Sequence, residues 1–567
     1  MNVFDMKPAE VLENRRALLR ELSAKAVVPV KIALLSGSTI GDLENLLRIY
    51  LLAYGLKPEF FVGQYDRWYE DAAFENIALR NFKPDIVYIH TTVRNLLEDL
   101  YDRFETAWRN ISDRLGCIII QNNLEMLPFR VMGNKDCSHA DGKLRIIADL
   151  NQKIADYAES NQRFYINDIH WLSANIGLER WFDDAYFYMY KYACSAEALV
   201  SLALNVAKIV KSLFGLNKKA IAVDLDNTLW GGVVGDDGAE NLEQSLETPR
   251  GMAFWEFQKY LKGLSKLGVL LNVTSKNDAR LALQGLEYAY LKREAFVEFE
   301  ANWNDKHKNL ANIAKTLNLG LDSLVFIDDN PAEREIVRQF LPDVEVVDIL
   351  EPENYVRELD SKGYFEVTAM SEDDQKRVSY YKNEQKRREV GDGFSDYSDY
   401  LTSLEMVASF EPINEGNISR TVQLINKTNQ FNLTTKRYTE NGVLALIEDD
   451  RYLTLTGKLQ DKFGDNGLVT VIIASICNKN ANIELWIMSC RVFKRGLEFA
   501  AFGELVRRLK ARGVEKIIGL YYPTEKNKIV ENLYHDLGFA EVDGHWEIGI
   551  DDVNIPNIYM EGKYDEK

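Results

Sequence analysis

Apolar runs alternate with amphipathic stretches along most of this chain. Residues 8–24 set Val11, Leu12, Leu18, Leu19 and Leu22 among charged residues, the period of a helix that packs one face on the neighbouring elements. From Lys31 the segments KIALLSG, a helical stretch through Leu46 to Tyr54, FFVG, DIVYIH, CIIIQNN and RFYIND alternate strand with helix. That order predicts a parallel sheet covered by helices on both faces. The alternation restarts with aliphatic runs at 220–223, 269–274 and 324–327, each ending in polar residues and followed by a helical pattern. Thr248 and Pro249 form a cap and first-turn pair for a helix that sets Ala253, Phe257, Leu261 and Leu264 on one face, and Asn330, Pro331 and Glu333 repeat the device as a capping box. Residues 371–393 read as a charged helical connector, with Lys382, Lys386, Arg387 and Arg388 on what is by default a solvated face. Beyond Phe394, LTLTGKLQ, LVTVIIASI, IELWIMSC, a helix through Phe499 to Ala511, KIIGLYY and NLYHDLGF mix strands with helices. The expected fold is α/β in three domains, at 1–212, 213–370 and 394–567, with the connector at 371–393.

The chemistry gathers at the ends of the middle three runs. Asp224 and Asp226 leave the first strand at i and i+2, so both carboxylates face one side. Oxygen donors in that arrangement suit a hard divalent cation such as Mg²⁺, and they suit catalysis in which one carboxylate attacks phosphorus while the other handles the leaving-group proton. For this stretch alone, an Asn/Thr turn with solvated acids fits as well. The second strand ends in Ser275, Lys276 and Asn277, where a hydroxyl and helix N-terminal amides can hold a phosphate oxygen. Lys306 opens a later helix and offers an ammonium to both the phosphate and the attacking carboxylate. The third strand ends in Asp328 and Asp329.

Taken in order, Asp224/Asp226/Thr228, Ser275, Lys306 and Asp328/Asp329 resemble the four motifs of the haloacid dehalogenase (HAD) superfamily of aspartyl phosphotransferases. The resemblance implies a nucleophilic Asp224, an acid/base Asp226, Lys306 beside them, phosphate contacts from Thr228, Ser275, Asn277 and Lys306, and Mg²⁺ held by Asp224, Asp226, Asp328 and Asp329. The flanking LDNTLWGGVVGDDG and FIDDNPAERE look like the FkbH-like proteins of HAD subfamily IIIC. Those are associated with loading a three-carbon glyceryl unit, drawn from a phosphorylated glycerate, onto a carrier protein. HAD enzymes for small substrates insert a cap domain after the first or second motif; here there is room only for a flap, so the resemblance implies a minimally capped, open site.

Composition narrows the partners. A chain of 567 residues is too long for one core. Its net charge of −19 argues against nucleic acid, which needs a basic footprint. The five cysteines, Cys117, Cys137, Cys194, Cys477 and Cys490, show neither zinc-site nor disulfide spacing, and no run is long enough to span a membrane, so a cytoplasmic protein with reduced thiols is expected.

In the first domain Ser36, Gly37 and Ser38, Thr91, Thr92 and Asn95, and Asn167, Asp168 and His170 follow successive strands, a layout similar to a weakened SGNH-hydrolase fold of flavodoxin-like, doubly wound type. SGS replaces the family's GDS, and Asp168 and His170 stand two apart where the family sets them three apart. Turn and cap roles for Ser38 and His170 fit better than a triad. The last domain resembles the GCN5-related acetyltransferase (GNAT) fold. That resemblance makes Tyr534 a proton donor to a leaving thiolate and puts Arg495 and Gly496 at a pyrophosphate loop, although Glu498 replaces a needed glycine. A carrier-linked phosphopantetheine arm suits that loop better than coenzyme A. The stretch KTNQFNLTTKRY, 427–438, also matches FkbH-like proteins; caps and turns are its plain reading. Cys490 lies beside Arg491 near Lys494 and Arg495, a setting for a thiolate acyl relay, with a buried inert cysteine as the alternative. Arg507, Arg508, Lys510 and Arg512 form a basic patch for an acidic acyl carrier protein. The reading is therefore an Mg²⁺-dependent FkbH-like phosphatase that loads an acyl unit onto a carrier. A plain phosphatase on a sugar or nucleotide intermediate and a non-catalytic assembly scaffold are its rivals.

Overall fold

A computed structural model describes residues 3–564 apart from 25, 27, 369–375, 392, 439 and 525. The chain forms two compact units, Met1–Leu216 with Glu366–Ala369, and Asn217–Phe365 with Met370–Lys567. The second unit thus takes in the expected connector, the third domain and the second domain except 213–216 and 366–369, which join the first unit. Among the described residues no helix is long and apolar enough to cross a membrane.

The first unit runs α1 (Pro8–Ser23), β1 (Val28–Ser36), α2 (Gly41–Ala53), β2 (Leu56–Val62), β3 (Ile86–His90), α3 (Leu100–Leu115), β4 (Ile118–Asn122), α4 (Lys143–Ser160), β5 (Phe164–Asn167), α5 (Ile169–Ile176) and α6 (Ala196–Leu213). Its strands lie in the order β2-β1-β3-β4-β5, all parallel. Helix α3 shows why such elements form. Leu100, Phe104, Ala107, Trp108 and Ile111 make one buried stripe, and Gly116 ends the helix at φ 57°, where a side chain would be strained.

The second unit opens with β6 (Ala220–Val223), α7 (Pro249–Lys266), β7 (Leu270–Ser275), α8 (Ala279–Tyr288), β8 (Phe299–Ala301), α9 (Lys306–Thr316), β9 (Leu324–Ile327), α10 (Pro331–Phe340) and β10 (Glu345–Val347). They form a parallel sheet in the order β10-β9-β6-β7-β8. Every residue of β6 and β9 is buried, as their unbroken apolar runs require for strands covered on both faces.

The connector helix α11 (Arg377–Gly391) is not the solvated element its charges suggest; residues 371–375 of the expected connector lie outside the described residues. Val378 and Tyr381 pack among Leu310, Ile313, Phe326 and Val337 on one face of the second sheet. Lys382 donates to the Glu294 carbonyl at 2.6 Å, and Arg388 pairs with Glu298 at 2.6 Å. Arg387 is buried against Asp461 at 2.8 Å, and Asp461 and Glu384 also hold Arg495. Lys386 is exposed. The expectation missed these pairings because the acids lie 74 and 90 residues away.

The third sheet adds β11 (Met406–Glu411), α12 (Ile418–Lys427), β12 (Tyr452–Asp461), β13 (Gly464–Cys477), β14 (Asn480–Met488), α13 (Leu497–Ala511), β15 (Lys516–Gly519), α14 (Leu533–Asp536), β16 (Ala540–Val542), β17 (His545–Gly549) and β18 (Met560–Tyr564). The order is β16-β17-β15-β14-β13-β12-β11-β18. β14 and β15 run parallel and pair only from Asn480↔Lys516 to Ile483↔Gly519, then part. Residues 431–434 enter that gap, with Asn432 bridging Ile487 antiparallel. Leu433 N donates to Trp486 O at 3.2 Å, Met488 N to Phe431 O at 3.1 Å, and Tyr522 N to Leu433 O at 2.9 Å. Asn527 Nδ2 donates to Asn432 O at 2.8 Å.

Candidate active site

Strand register assembles the site. Val223 pairs with Ile327 on one side and with Val273 on the other, so Asp224 and Asp328 emerge side by side at the carboxyl ends of β6 and β9, with Ser275 at the neighbouring end of β7. Asp224 N donates to Ile327 O at 2.9 Å and locks that pairing. One oxygen from each of Asp224, Asp328 and Asp329 lies within 4.8 Å of the other two. Lys306, at the start of α9, puts its ammonium 2.5 Å from Asp328 Oδ2 and 3.1 Å from Asp224 Oδ2.

One ammonium among three close carboxylates leaves the site short of positive charge. Burial, and then the Asp224 charge, raise the pKa of Asp328 and of Asp329. Burial works against the Lys306 ammonium, but Asp224 and Asp328 outweigh it and its pKa is raised. Asp224 Oδ1 is buried without a hydrogen-bond partner among the described residues. An orphaned carboxylate oxygen beside two more acids is a donor set for a hard cation, so the residues fit Mg²⁺.

Arg334 and Thr228 hold this acidic loop in place. Arg334 Nη1 donates to the Asp328 and Asp329 carbonyls, each at 2.7 Å. The Thr228 hydroxyl donates to Asp329 Oδ1 at 3.2 Å and accepts from Asp329 N at 2.9 Å. It positions Asp329, whereas the sequence assigned it to phosphate. Asn330 caps α10 by accepting from Ala332 N at 2.9 Å, but Glu333 pairs with Lys276 at 2.6 Å instead of closing the expected capping box.

The Asp226 side chain stands outside the acidic group. Its Oδ1 accepts from Trp230 Nε1 at 2.9 Å and Val234 N at 3.1 Å, and its Oδ2 accepts from Asn277 Nδ2 at 2.9 Å. Three donors turn it away from Asp224, Asp328 and Asp329, so its carboxylate is not assigned to the cation, and the Asn277 amide serves Asp226 before any phosphate. Burial raises the Asp226 pKa against those hydrogen bonds, the direction that suits a proton carrier. Trp230 and Arg334 were missed in the sequence: one reads as an apolar residue after a motif, the other as one charge in a charged helix. Residues 229–248 make the expected flap, closed by Gly231 and Glu243 exchanging backbone hydrogen bonds at 2.9 Å.

The residues proposed outside this centre do not join it. Cys490 packs beside Tyr381, Sγ to OH 3.6 Å, and is felt by Lys219, which precedes β6 at the end opposite Asp224. Tyr534 is fully buried between Phe539, Trp546 and Gly519, where a Cβ would lie 2.4 Å from its ring. Arg508 is committed to buried Glu504 at 2.6 Å; Arg507 shares that acid at 2.8 Å but stays half exposed, and Lys510 pairs with Asp551 at 3.0 Å. Arg495 is buried in the Asp461–Glu384 network, so it is not available to a pyrophosphate. The stretch 427–438 both caps and bridges: Asn432 Nδ2 donates to Thr428 O at 3.3 Å and Thr434 Oγ1 to Glu484 O at 2.8 Å.

In the first unit Ser36 Oγ donates to Ser38 O at 2.8 Å, Asp168 accepts from Trp171 N at 3.0 Å as the cap of α5, and His170 Nδ1 lies 3.1 Å from Leu124 O. These are turn and cap roles, and they build no triad. Glu125 is buried there, accepting from Val93 N at 3.0 Å, and burial pushes its pKa up to about 7.

No protein-family model matches the chain, and no curated protein matches it. Among solved structures it is similar to the N-terminal part of the protein BF1531 from Bacteroides fragilis, which contains a phosphatase domain and was crystallised with Mg. The identity is 26%, the TM-score 0.60, and the match covers 64% of this chain and 100% of that one. About a quarter of the chain also matches the ribosomal-protein-S18-alanine N-acetyltransferase of Escherichia coli, at 16% identity and TM-score 0.21 over 25% of this chain and 94% of that one. It matches the spermidine N-acetyltransferase of Vibrio cholerae solved with CoA and spermine at 14% and 0.21, over 26% and 96%. At that overlap neither activity transfers to this chain.

Proposed function

We propose that the Asp224 centre is a Mg²⁺-dependent phosphatase of the HAD type. The observation that carries this reading is the unpartnered, buried Asp224 Oδ1 set among Asp328, Asp329 and the Lys306 ammonium. Asp224, Asp328 and Asp329 would hold Mg²⁺, which when bound supplies positive charge for the transferring phosphoryl oxygens. Asp224 attacks phosphorus, a new P–O bond forms to its carboxylate, and the bond to the leaving oxygen breaks. Lys306 orients Asp224 and offsets charge on the phosphoryl group, and Ser275 lies at the neighbouring strand end to receive a phosphoryl oxygen. Asp226, fixed by Trp230, Val234 N and Asn277, gives its proton to the leaving oxygen and takes one back from the water that hydrolyses the aspartyl-phosphate.

The substrate in this reading is a phosphorylated three-carbon acid whose carboxyl is activated as an acyl phosphate, and the partner is an acyl carrier protein, in the cytoplasm. The carrier thiol attacks the acyl carbon, the C–S bond forms as the C–O bond to the phosphate leaving group breaks, and the phosphate ester is the one removed at Asp224. The FkbH-like motifs around Asp224 and Asp328 support that choice, and the flap-only covering of the site leaves room for a carrier's arm. Acyl transfer belongs at the Asp224 end and does not pass through Cys490. In the third sheet residues 431–434 fill the gap between β14 and β15, and Arg495 is buried, which weighs against coenzyme A as donor.

The test is to measure phosphate release and carrier mass for the full chain with a phosphorylated glycerate, with and without carrier, and with and without chelator. Mg²⁺-dependent phosphate release lost in Asp224→Asn, together with a mass gain on the carrier, supports the whole reading. Phosphate release with no change in carrier mass leaves a plain phosphatase. No Mg²⁺-dependent release from any phosphorylated donor leaves a scaffold and sinks the assignment.

A further inference from the structure

We infer that Lys219 and Arg437 form a second oxyanion site, at the amino end of β6 where the second sheet meets residues 427–437 and Cys490, separate from the Asp224 centre. Lys219 and Asp224 flank β6 at opposite ends, and at about 3.3 Å of rise per residue they stand roughly 16 Å apart.

The argument is one of uncompensated charge. Lys219 Nζ donates only to Lys427 O, at 3.4 Å. Arg437 donates to the next carbonyl, Thr428 O, at 2.8 Å, and to Ile425 O and Asn429 Oδ1. All of these acceptors are neutral, and among the described residues neither cation has a carboxylate partner. Asp322 is the one carboxylate whose field favours the charged Lys219, and it is already engaged by Lys526, with Lys218 on its backbone carbonyl at 2.8 Å.

Hydrogen bonds to carbonyls satisfy donors and cap the end of α12, whose C-terminal dipole offsets part of the charge, but two cations share that one helix end and the rest stays uncancelled, which is costly away from water. Burial lowers the pKa of Lys219 and takes Arg437 down to about 10. Both side chains are largely buried but keep some exposure. A guanidinium and an ammonium that donate to successive carbonyls and feel each other's charge suit a phosphate, sulfate or carboxylate group, whether free or at the end of a larger molecule. Cys490, half-buried and within electrostatic reach of Lys219, can report the occupancy of the site.

The probe is inorganic phosphate, and the readout is the rate at which iodoacetamide alkylates Cys490 in the full chain, followed by peptide mass spectrometry. The reference is chloride at equal ionic strength, and exposed Cys137 and Cys477 serve as internal controls. Phosphate should slow Cys490 saturably, roughly tenfold once it exceeds its dissociation constant about tenfold, and leave the controls unchanged. Asp224→Asn should keep this protection, whereas Lys219→Met and Arg437→Met should lose it. A parallel arm with methylphosphonate separates the sources: equal protection assigns the site to the terminal group of a larger phosphomonoester, and protection by phosphate alone assigns it to the free anion. Equal rates in phosphate and chloride for the wild-type chain overturn the inference whatever the variants do. So does full protection in folded Lys219→Met.

Discussion

Replacing Trp230 by Phe isolates what holds the carboxylate of Asp226, proposed above as the acid/base. Trp230 is fully buried, and its Nε1–H lies 2.9 Å from Asp226 Oδ1; the ring packs so close to Gly285 that a Cβ there would stand 2.9 Å from it. Trp230→Phe keeps an aromatic ring, deletes one hydrogen bond and opens a small void beside Gly285. The void should cost on the order of 1–2 kcal/mol of stability. A hydrogen bond to an ionised group contributes about 1.5–3 kcal/mol, and Val234 N and Asn277 continue to hold Asp226, so the carboxylate is loosened and not orphaned. If that bond serves the step in which Asp226 takes a proton from water, breakdown of the aspartyl-phosphate slows roughly tenfold to a hundredfold. Rapid quench with an acyl phosphate donor, whose leaving group needs no protonation, reads formation and decay separately. Formation should be unchanged and decay slowed, and Asn277→Ala should act in the same direction. A folded Trp230→Phe protein whose intermediate decays at the wild-type rate refutes the idea that Trp230 aims Asp226.

Three further outcomes are expected. Asp224→Asn should form no phosphoenzyme, while Asp226→Asn should form one that persists; label trapped on the Asp224→Asn protein would reverse the assignment. Arg495→Met removes one of two arginines from buried Asp461 and should lower the stability of the second unit by about 3 kcal/mol, read by chemical denaturation; an unchanged midpoint would show that Arg387 alone suffices. Glu125, raised by burial from 4.5 to about 7, stays protonated in the folded chain over a range where the unfolded chain ionises. Its contribution is therefore complete below about pH 4.5 and is lost as pH rises through 7, a difference of about 3 kcal/mol that Glu125→Gln should remove. Melting curves of the two proteins that run parallel from pH 5 to 8 would contradict this.

The parts of this molecule that were legible in sequence are those set by neighbours along the chain. Ala220 to Val223 and Leu324 to Ile327 are unbroken apolar runs with carboxylates at one end, so both strand and site could be read from a few residues. Asn330 and Thr248 likewise cap helices that begin beside them. What stayed hidden depends on partners distant in the chain. The basic face of α11 looks solvated until Asp461 and Glu298 are brought to it. Asp226 looks like a cation ligand until Asn277, 51 residues on, takes its second oxygen. Thr228 looks like a phosphate contact until Asp329 arrives, 101 residues later. The place of 431–434 was invisible for a different reason: Phe431 and Leu433 are buried, but they sit in an otherwise polar stretch too short to read as a strand, and only the parting of β14 from β15 gives their backbone a place.

That segment also bears on how the protein fails. Strip residues 431–434 from the gap, and the far half of β14 and the chain beyond β15 would each present bare backbone N–H and C=O groups, two open edges within one molecule. Open edges recruit strands from other molecules. A destabilising change in 427–438, even one far from any chemistry, should therefore show itself first as loss of protein to aggregates in cells, with the molecules that remain in solution still turning over substrate at the normal rate.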